Sequence, residues 1–419
     1  MKNKKVVVTG LGTVNPLGLN VKDFWKNTIE GKSGAGPITK FDASKFKTTF
    51  ACEVKGFDPE LYIEKKEIRK YDLFTQYAIS AAQEAIEDAG FDFARLSDEE
   101  RTRIGVIWAS GYGGISTFES QLTEFNSGDG TPRFNPFFIP KIITDIAAGV
   151  ISMRYKLYGP NYCTVSACAS SNTAIINALD LIRNGRADVV IVGGSEASIT
   201  PASIGGFSAS QALSRRNEEI ETASRPFDVS RDGFVAGEGA GALILESYEY
   251  AVKRGAKIYA EVAGGGMAAD AYHLTSTHPE GLGALLGIKA ALQDAGVEAS
   301  EIGYINAHAT STGAGDLSEM KAIAEVFRQA PDLLISSTKS MTGHMLGAAG
   351  AVESIVSVLS LYNGIIPATI NTTEIDPLIP SELNILTGQA KRKEIRYALN
   401  NSFGFGGHTA TSIFKRMNL

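Results

Sequence analysis

The chain has 419 residues, 44% of them hydrophobic, with 46 acidic against 40 basic side chains and a net charge of −6. That length allows a large buried core, and the charge balance lacks the basic excess of a polynucleotide binder. Three cysteines (Cys52, Cys163, Cys168) form an odd, sparse set with no CxxC pair. This argues for a reducing compartment and against a disulfide framework or a zinc knuckle.

The N-terminal MKNKKVVVTG has no long apolar core and no small-residue cleavage site, and it reads as a first strand over residues 5–9. Short apolar runs bounded by Gly, Ser and Asn predict further strands at 104–109, 189–192, 241–246, 258–264, 304–307, 334–336 and 396–400. Helical periodicity predicts helices over 72–89, 170–183, 283–295 and 348–362. Strands alternating with helices imply an α/β fold with largely buried sheets. No apolar run reads as long enough to span a bilayer.

The chain also echoes itself. Residues 85–90, AIEDAG, resemble residues 291–296, ALQDAG, and each is followed by an apolar strand and a Gly/Ser/Thr-rich loop. The helices at 170–183 and 348–362 both follow small-residue turns and both run out at Asn-Gly, 184–185 and 363–364. Two similar halves with a seam near 253–257 explain this pattern.

The most informative segment is 162–172, YCTVSACASSN. A β-type run gives way to small residues and then to an apolar-periodic helix, which places Cys168 at a strand-to-helix turn. A helix N-terminus favours a thiolate, and its free N–H groups can hold an oxyanion. Cys52 and Cys163 read as small buried hydrophobes. Of five histidines, His308 and His344 lie in Gly/Ser/Thr loops that follow strands, where function concentrates on α/β sheets. His273, His278 and His408 read as structural. One cysteine and two imidazoles could bind a metal, hydrolyse as a Cys-His pair, or stabilise an enolate through two N–H donors, and spacing alone does not choose among these.

Taken in order, these segments resemble the β-ketoacyl-acyl-carrier-protein synthases, type II, with a Cys-His-His site. The resemblance includes VTGLG at 8–12, ASRPFD at 223–228, RDGFV at 231–235 and NSFGFGG at 401–407, and it covers essentially the whole chain. It implies a thiolase-like α/β fold of two similar halves, 1–254 with the nucleophile and 255–419 with the histidines. It also implies a cytoplasmic homodimer whose partner is acyl carrier protein, with no nucleic acid, membrane insertion, metal or cofactor; substrates ride on the carrier's phosphopantetheine arm. By the same resemblance Cys168 takes the acyl chain and His308 and His344 bind the malonyl thioester oxygen. Lys339 stands near the second histidine with Glu353 as ion-pair partner. Phe403 gates the site and joins Cys168 in the oxyanion hole. Thr310, Thr312 and Thr275 flank the pantetheine arm, Tyr112 and Phe405 line the substrate pocket, and Lys65, Lys66, Arg69, Lys70 and Arg133 dock the carrier.

Some residues depart from the family pattern. Ala309 replaces a common glycine, Gly313 a common proline, His408 a threonine and Gln211 a docking arginine, while Tyr112 replaces a smaller aliphatic residue. Tyr112 and Gln211 motivate an alternative reading, a ketosynthase of a dedicated polyene or polyketide-like pathway. A non-catalytic partner subunit is the alternative from another class, and retention of Cys168, His308 and His344 argues against it.

Overall fold

Runs in which every residue is apolar or small have no face to give to water, so they fold as strands covered on both sides. The computed structural model, which describes residues 4–417, has ten strands in its main sheet, several of them runs of this kind. They are β1 (Val6–Val14), β2 (Ile104–Ala109), β3 (Asn161–Thr164), β4 (Val189–Glu196), β5 (Gly239–Ser247), β6 (Ala260–Ala269), β7 (Ile302–Asn306), β8 (Leu334–Ser336), β9 (Tyr397–Gly404) and β10 (His408–Arg416). Residues 1–3 and 418–419, the outer ends of the two expected halves, lie outside the described residues.

The spatial order is β8-β7-β9-β10-β6-β1-β5-β4-β2-β3. From the middle outward, one side runs β1-β5-β4-β2-β3 and the other β6-β10-β9-β7-β8, the same order with each strand five places later in the chain. The two sides join in the sheet at Val7–Glu261 and Val8–Ala260. In both, the outer strands pair in parallel and the inner ones antiparallel.

The principal helices are α1 (Leu73–Asp88), α2 (Ile146–Tyr155), α3 (Ser170–Arg183), α4 (Pro201–Ala209), α5 (Leu282–Ala295), α6 (Gly313–Val326) and α7 (Ala349–Asn363). α1 packs on β1 and β5, and α5 packs on β6 and β10, so each covers the outer face of one half. α3 and α7 touch each other and strands of both halves. That central position demands helices apolar nearly all round: every residue of α7 from Ala349 to Leu361 is buried. Segment 346–363 is in fact long and apolar enough, by length and composition, to cross a membrane, contrary to the reading that no such run exists. It is 89% buried inside the protein, so its apolarity serves the core. The sequence echo has a structural counterpart: Gly90 and Gly296 end α1 and α5 in the left-handed region (φ 68° and 62°), which glycine adopts without strain.

Several strands run further than their apolar signal, among them β1, β4, β6 and β9, and one strand has no such signal. β6 runs through the triple glycine 264–266, which reads as a loop by composition. A Cβ at Gly266 would lie 2.3 Å from Ala291 N, and one at Gly265 would lie 2.7 Å from Ile176 Cγ1. These glycines are in the strand because α5 and α3 press against it. β10 was not foreseen, since His408-Thr409-Ala410-Thr411-Ser412 carries little apolar signal; its residues from Thr409 to Phe414 are nonetheless buried between β9 and β6.

Candidate active site

Cys168 lies two residues before α3, on a turn in which Ala167 adopts φ 51°. A non-glycine residue there is strained, and the local bonds impose it: Ser170 Oγ donates to Ala167 O (2.6 Å) and accepts from Ser166 N–H (2.9 Å). The result is a strand–turn–helix elbow that lifts the sulfur off the end of β3. Asn172 on α3 donates to Asn400 O (3.0 Å) and Ala410 O (2.9 Å), fixing this elbow against strands of the other half.

His308 follows β7, and its loop hangs on a buried carboxylate. Glu319 of α6 accepts from His308 N–H (2.9 Å), Ala309 N–H (2.8 Å) and the Asn401 amide (3.0 Å). His344 follows β8, and its backbone is laced to the first half: its N–H donates to Val235 O (2.7 Å) and its carbonyl accepts from Gly237 N–H (2.9 Å). The two rings meet edge to face with centroids 5.3 Å apart. Phe403 packs against His308 (5.4 Å) and Phe234 against His344 (5.3 Å). Cys168, His308, His344, Phe403 and Phe234 thus line one cavity of about 280 Å³, close to the size of ordinary small-molecule sites.

The electrostatics follow from burial. Loss of solvation pulls both imidazoles well below their usual value, the Lys339 ammonium lowers them further, and His344 adds to the effect on His308. Both are therefore neutral at neutral pH, with one N–H donor each. The Nδ1 atom of each is buried without a hydrogen-bond partner among the described residues. Burial pushes the Cys168 thiol up to about 12, against a smaller opposing pull from Lys339. Dehydration of the charge therefore opposes the thiolate-favouring effect of the helix terminus. Lys339 and Glu353 form a buried ion pair, each 1% exposed, and burial raises the Glu353 carboxyl to about 7.

Thr310, Thr312, Thr275 and Phe405 also line the cavity, with the two Oγ1 atoms of Thr310 and Thr312 3.1 Å apart. Tyr112 does not. The residue is 43% exposed and its ring stands edge-on to Phe207 (6.3 Å), and it is Phe207 that reaches the cavity wall. Glu196 accepts the N–H groups of Gly111 (2.8 Å) and Tyr112 (3.1 Å) at this turn. Lys65, Lys66, Arg69, Lys70 and Arg133 are not among the cavity-lining residues. Of the other cysteines, Cys52 is buried as expected, while Cys163 is only half-buried on the edge strand β3. Gln211 lines the mouth, and the remaining departures sit around it: Ala309 is buried, Gly313 opens α6 with open space about it, and His408 is exposed at the start of β10.

Sequence reasoning missed Glu196 and Glu319, both wholly buried and raised to about 7 by burial. The signal for Glu319 was present in the pattern. Asp316 and Glu319 occupy one face of α6 beside the buried Met320 and Ile323, where a solvated acid has no place.

A model of the β-ketoacyl synthase N-terminal domain matches residues 3–251, and one of the β-ketoacyl synthase C-terminal domain matches residues 259–373. The chain is 47% identical over 416 residues, 99% of each sequence, to 3-oxoacyl-[acyl-carrier-protein] synthase 2 of Staphylococcus aureus strain N315. Among solved structures, the ishigamide ketosynthase/chain length factor is 34% identical with TM-score 0.91, covering 99% of this chain and 100% of that one. A type II PKS acyl-carrier protein in complex with its ketosynthase bound to the hexaketide gives a match of 34% identity and TM-score 0.90, covering 100% of both chains. With its two similar α/β halves arranged as in these ketosynthases, the chain belongs to the β-ketoacyl synthase family.

Proposed function

We propose that this protein is a 3-oxoacyl-[acyl-carrier-protein] synthase of fatty-acid elongation, and that Cys168, His308 and His344 carry the reaction. The observation that bears most weight is the convergence of that sulfur and those two neutral imidazoles on one cavity. Cys168 Sγ attacks the thioester carbonyl of an acyl chain on acyl carrier protein. The carbon–sulfur bond to the carrier breaks, and the carrier thiol departs with the cysteine proton. A malonyl thioester then enters. Its carbon–carbon bond breaks, carbon dioxide leaves, and the electron pair passes into an enolate whose oxygen takes the N–H groups of His308 and His344. The enolate carbon attacks the acyl-Cys168 carbonyl, a new carbon–carbon bond forms, and the cysteine sulfur leaves and regains a proton. Neutral imidazoles suit this role, because each keeps an N–H where negative charge develops.

Backbone N–H groups of Cys168 and Phe403 hold the oxyanion in the acyl-transfer steps. In support, the end of β9 abuts the elbow so closely that a Cβ on Gly404 would lie 3.0 Å from Cys168 N. Lys339, through its pairing with Glu353, maintains the field at the histidines. Thr310, Thr312, Thr275 and Phe405 guide the carrier's arm. The reading includes a division into halves at 254/255, supported by the repeated strand order, and a cytoplasmic homodimer that needs no separate cofactor. The identity to the S. aureus enzyme favours fatty-acid elongation, while likeness to the ishigamide and hexaketide-bound ketosynthases keeps a specialised pathway as the second reading.

The test is incubation with acyl-carrier thioester followed by peptide mass analysis. One acyl group on the peptide containing Cys168 is expected, and acylation at Cys163 or elsewhere would overturn the assignment. A panel of acyl chains of graded length and unsaturation separates the two pathways.

A further inference from the structure

Glu196 ends β4 and is wholly buried, yet it has no ion pair among the described residues. A carboxylate this deep is costly unless its oxygens are filled. Four donors fill them. Oε2 accepts from Gly111 N–H (2.8 Å) and Gly347 N–H (3.1 Å), and Oε1 accepts from Tyr112 N–H (3.1 Å) and Ser110 Oγ (3.1 Å). One side chain thus clamps two turns, one from each half of the chain. The first follows β2 and carries Tyr112, which packs on Phe207 of the cavity wall; the second follows His344.

Glycines make the clamp tight. A Cβ on Gly347 would lie 2.4 Å from Gly111 N and 2.7 Å from Glu196 Oε2, and one on Gly194 would lie 2.9 Å from Gly347 O. What the clamp holds is Leu346, whose backbone is left-handed (φ 48°) and which lines the cavity. A leucine in that region is strained and persists only where its surroundings impose it. The grip of Glu196 on the next N–H is such a constraint. His344 has supports of its own, since its N–H and carbonyl are pinned to Val235 and Gly237, and the His308 loop hangs on Glu319.

We propose that Glu196 is the positioning residue for the apolar wall at Leu346 and so sets which acyl chains Cys168 accepts, while the histidine donors stand independently of it. This rests on the reading of the cavity as the place where an acyl chain is loaded onto Cys168. Leu346 shares the cavity with that sulfur, and one methylene more or less in an apolar pocket changes discrimination about 10–200-fold. Glu196 also acts on Cys168 through its charge, which opposes the thiolate. A charge acts on every chain alike, whereas a wall acts by chain length.

The experiment measures loading of Cys168, by intact-protein mass spectrometry, from acyl-carrier thioesters of graded chain length. In Glu196→Ala the ratio of kcat/KM between the best and worst chains is expected to fall about tenfold or more. Carbon dioxide release from malonyl-carrier thioester, read in a Cys168→Ala background, should stay within about threefold of its parent when Glu196→Ala is added. Glu196→Gln should keep the wild-type profile, because its carbonyl oxygen serves Gly111 and Gly347 while the Ser110 hydroxyl turns to accept from its amide. Leu346→Ala should flatten the profile, and adding Glu196→Ala to it should flatten it no further. Unchanged selectivity in Glu196→Ala, a uniform shift across all chain lengths, an equal loss of decarboxylation or an additive double variant overturns the proposal. So does a glutamine variant that behaves like the alanine one. If Glu196→Ala does not fold, Gly347→Ala decides, since its Cβ forces the clamp apart: a flattened profile supports the proposal and an unchanged one overturns it. A wild-type protein that loads no acyl chain refutes the functional reading itself, before any variant is made.

Discussion

Glu319 gives access to the histidine donors without touching substrate. Its carboxylate accepts three buried hydrogen bonds, two from the backbone of the His308 loop and one from Asn401. A buried donor left unpaired costs about 1–3 kcal/mol. Glu319→Ala therefore costs about 3–9 kcal/mol if nothing refills the space, and entering water draws the figure toward the lower end. Glu319→Gln keeps the volume and one acceptor oxygen but turns an amide N–H toward a backbone donor, so about 1–3 kcal/mol is expected. Since burial raises this carboxyl to about 7, the glutamine also mimics the protonated form. A shift of about 1 Å in a catalytic group costs about 10²-fold in rate. The assay is carbon dioxide release from malonyl-carrier thioester in a Cys168→Ala background, with and without Glu319→Gln, because decarboxylation uses the histidines and not the sulfur. Release should fall about 10²-fold, while acyl loading of Cys168 in the single Glu319→Gln protein stays intact by mass spectrometry. Decarboxylation within about threefold of its parent would refute the positioning argument. Equal loss of acyl loading would refute it as well, since the whole site would then have collapsed.

Lys339→Met should destabilise the fold by about 3–5 kcal/mol, because it strands the buried Glu353 carboxylate. The double variant Lys339→Met, Glu353→Gln should recover part of that loss in denaturant titration; a double variant no more stable than the single would contradict the pair's role. His308 and His344 should show neutral-ring ¹⁵N shifts down through pH 6.5, the usual histidine value. Burial lowers both, so protonation is displaced to lower pH, and a titration midpoint near 6.5 for either ring would count against a dry, cationic-neighboured site.

Local pattern carried much of this protein. The periodicity of 170–183 reproduces α3 at both ends, and the apolar runs at 104–109 and 334–336 match β2 and β8. The small residues around Cys168 and the loop settings of His308 and His344 marked the reactive groups, because an elbow and a post-strand loop are short-range features. The repeated Asn-Gly and Ala-Gly helix ends exposed the doubling of the fold. Tertiary structure decided whatever depends on a neighbour remote in sequence. The glycines of β6 look like a loop until α5 and α3 lie against them. Tyr112 looks like a pocket wall, but the wall residue is Phe207, nearly a hundred positions further along the chain, with Tyr112 edge-on behind it. At Cys168 the helix terminus favours the thiolate, and burial in the assembled site works against it. Composition and periodicity fix what each segment can become, but solvation and close packing are properties of assembled layers, so the protonation of the site and the aim of its side chains exist only once the two halves meet.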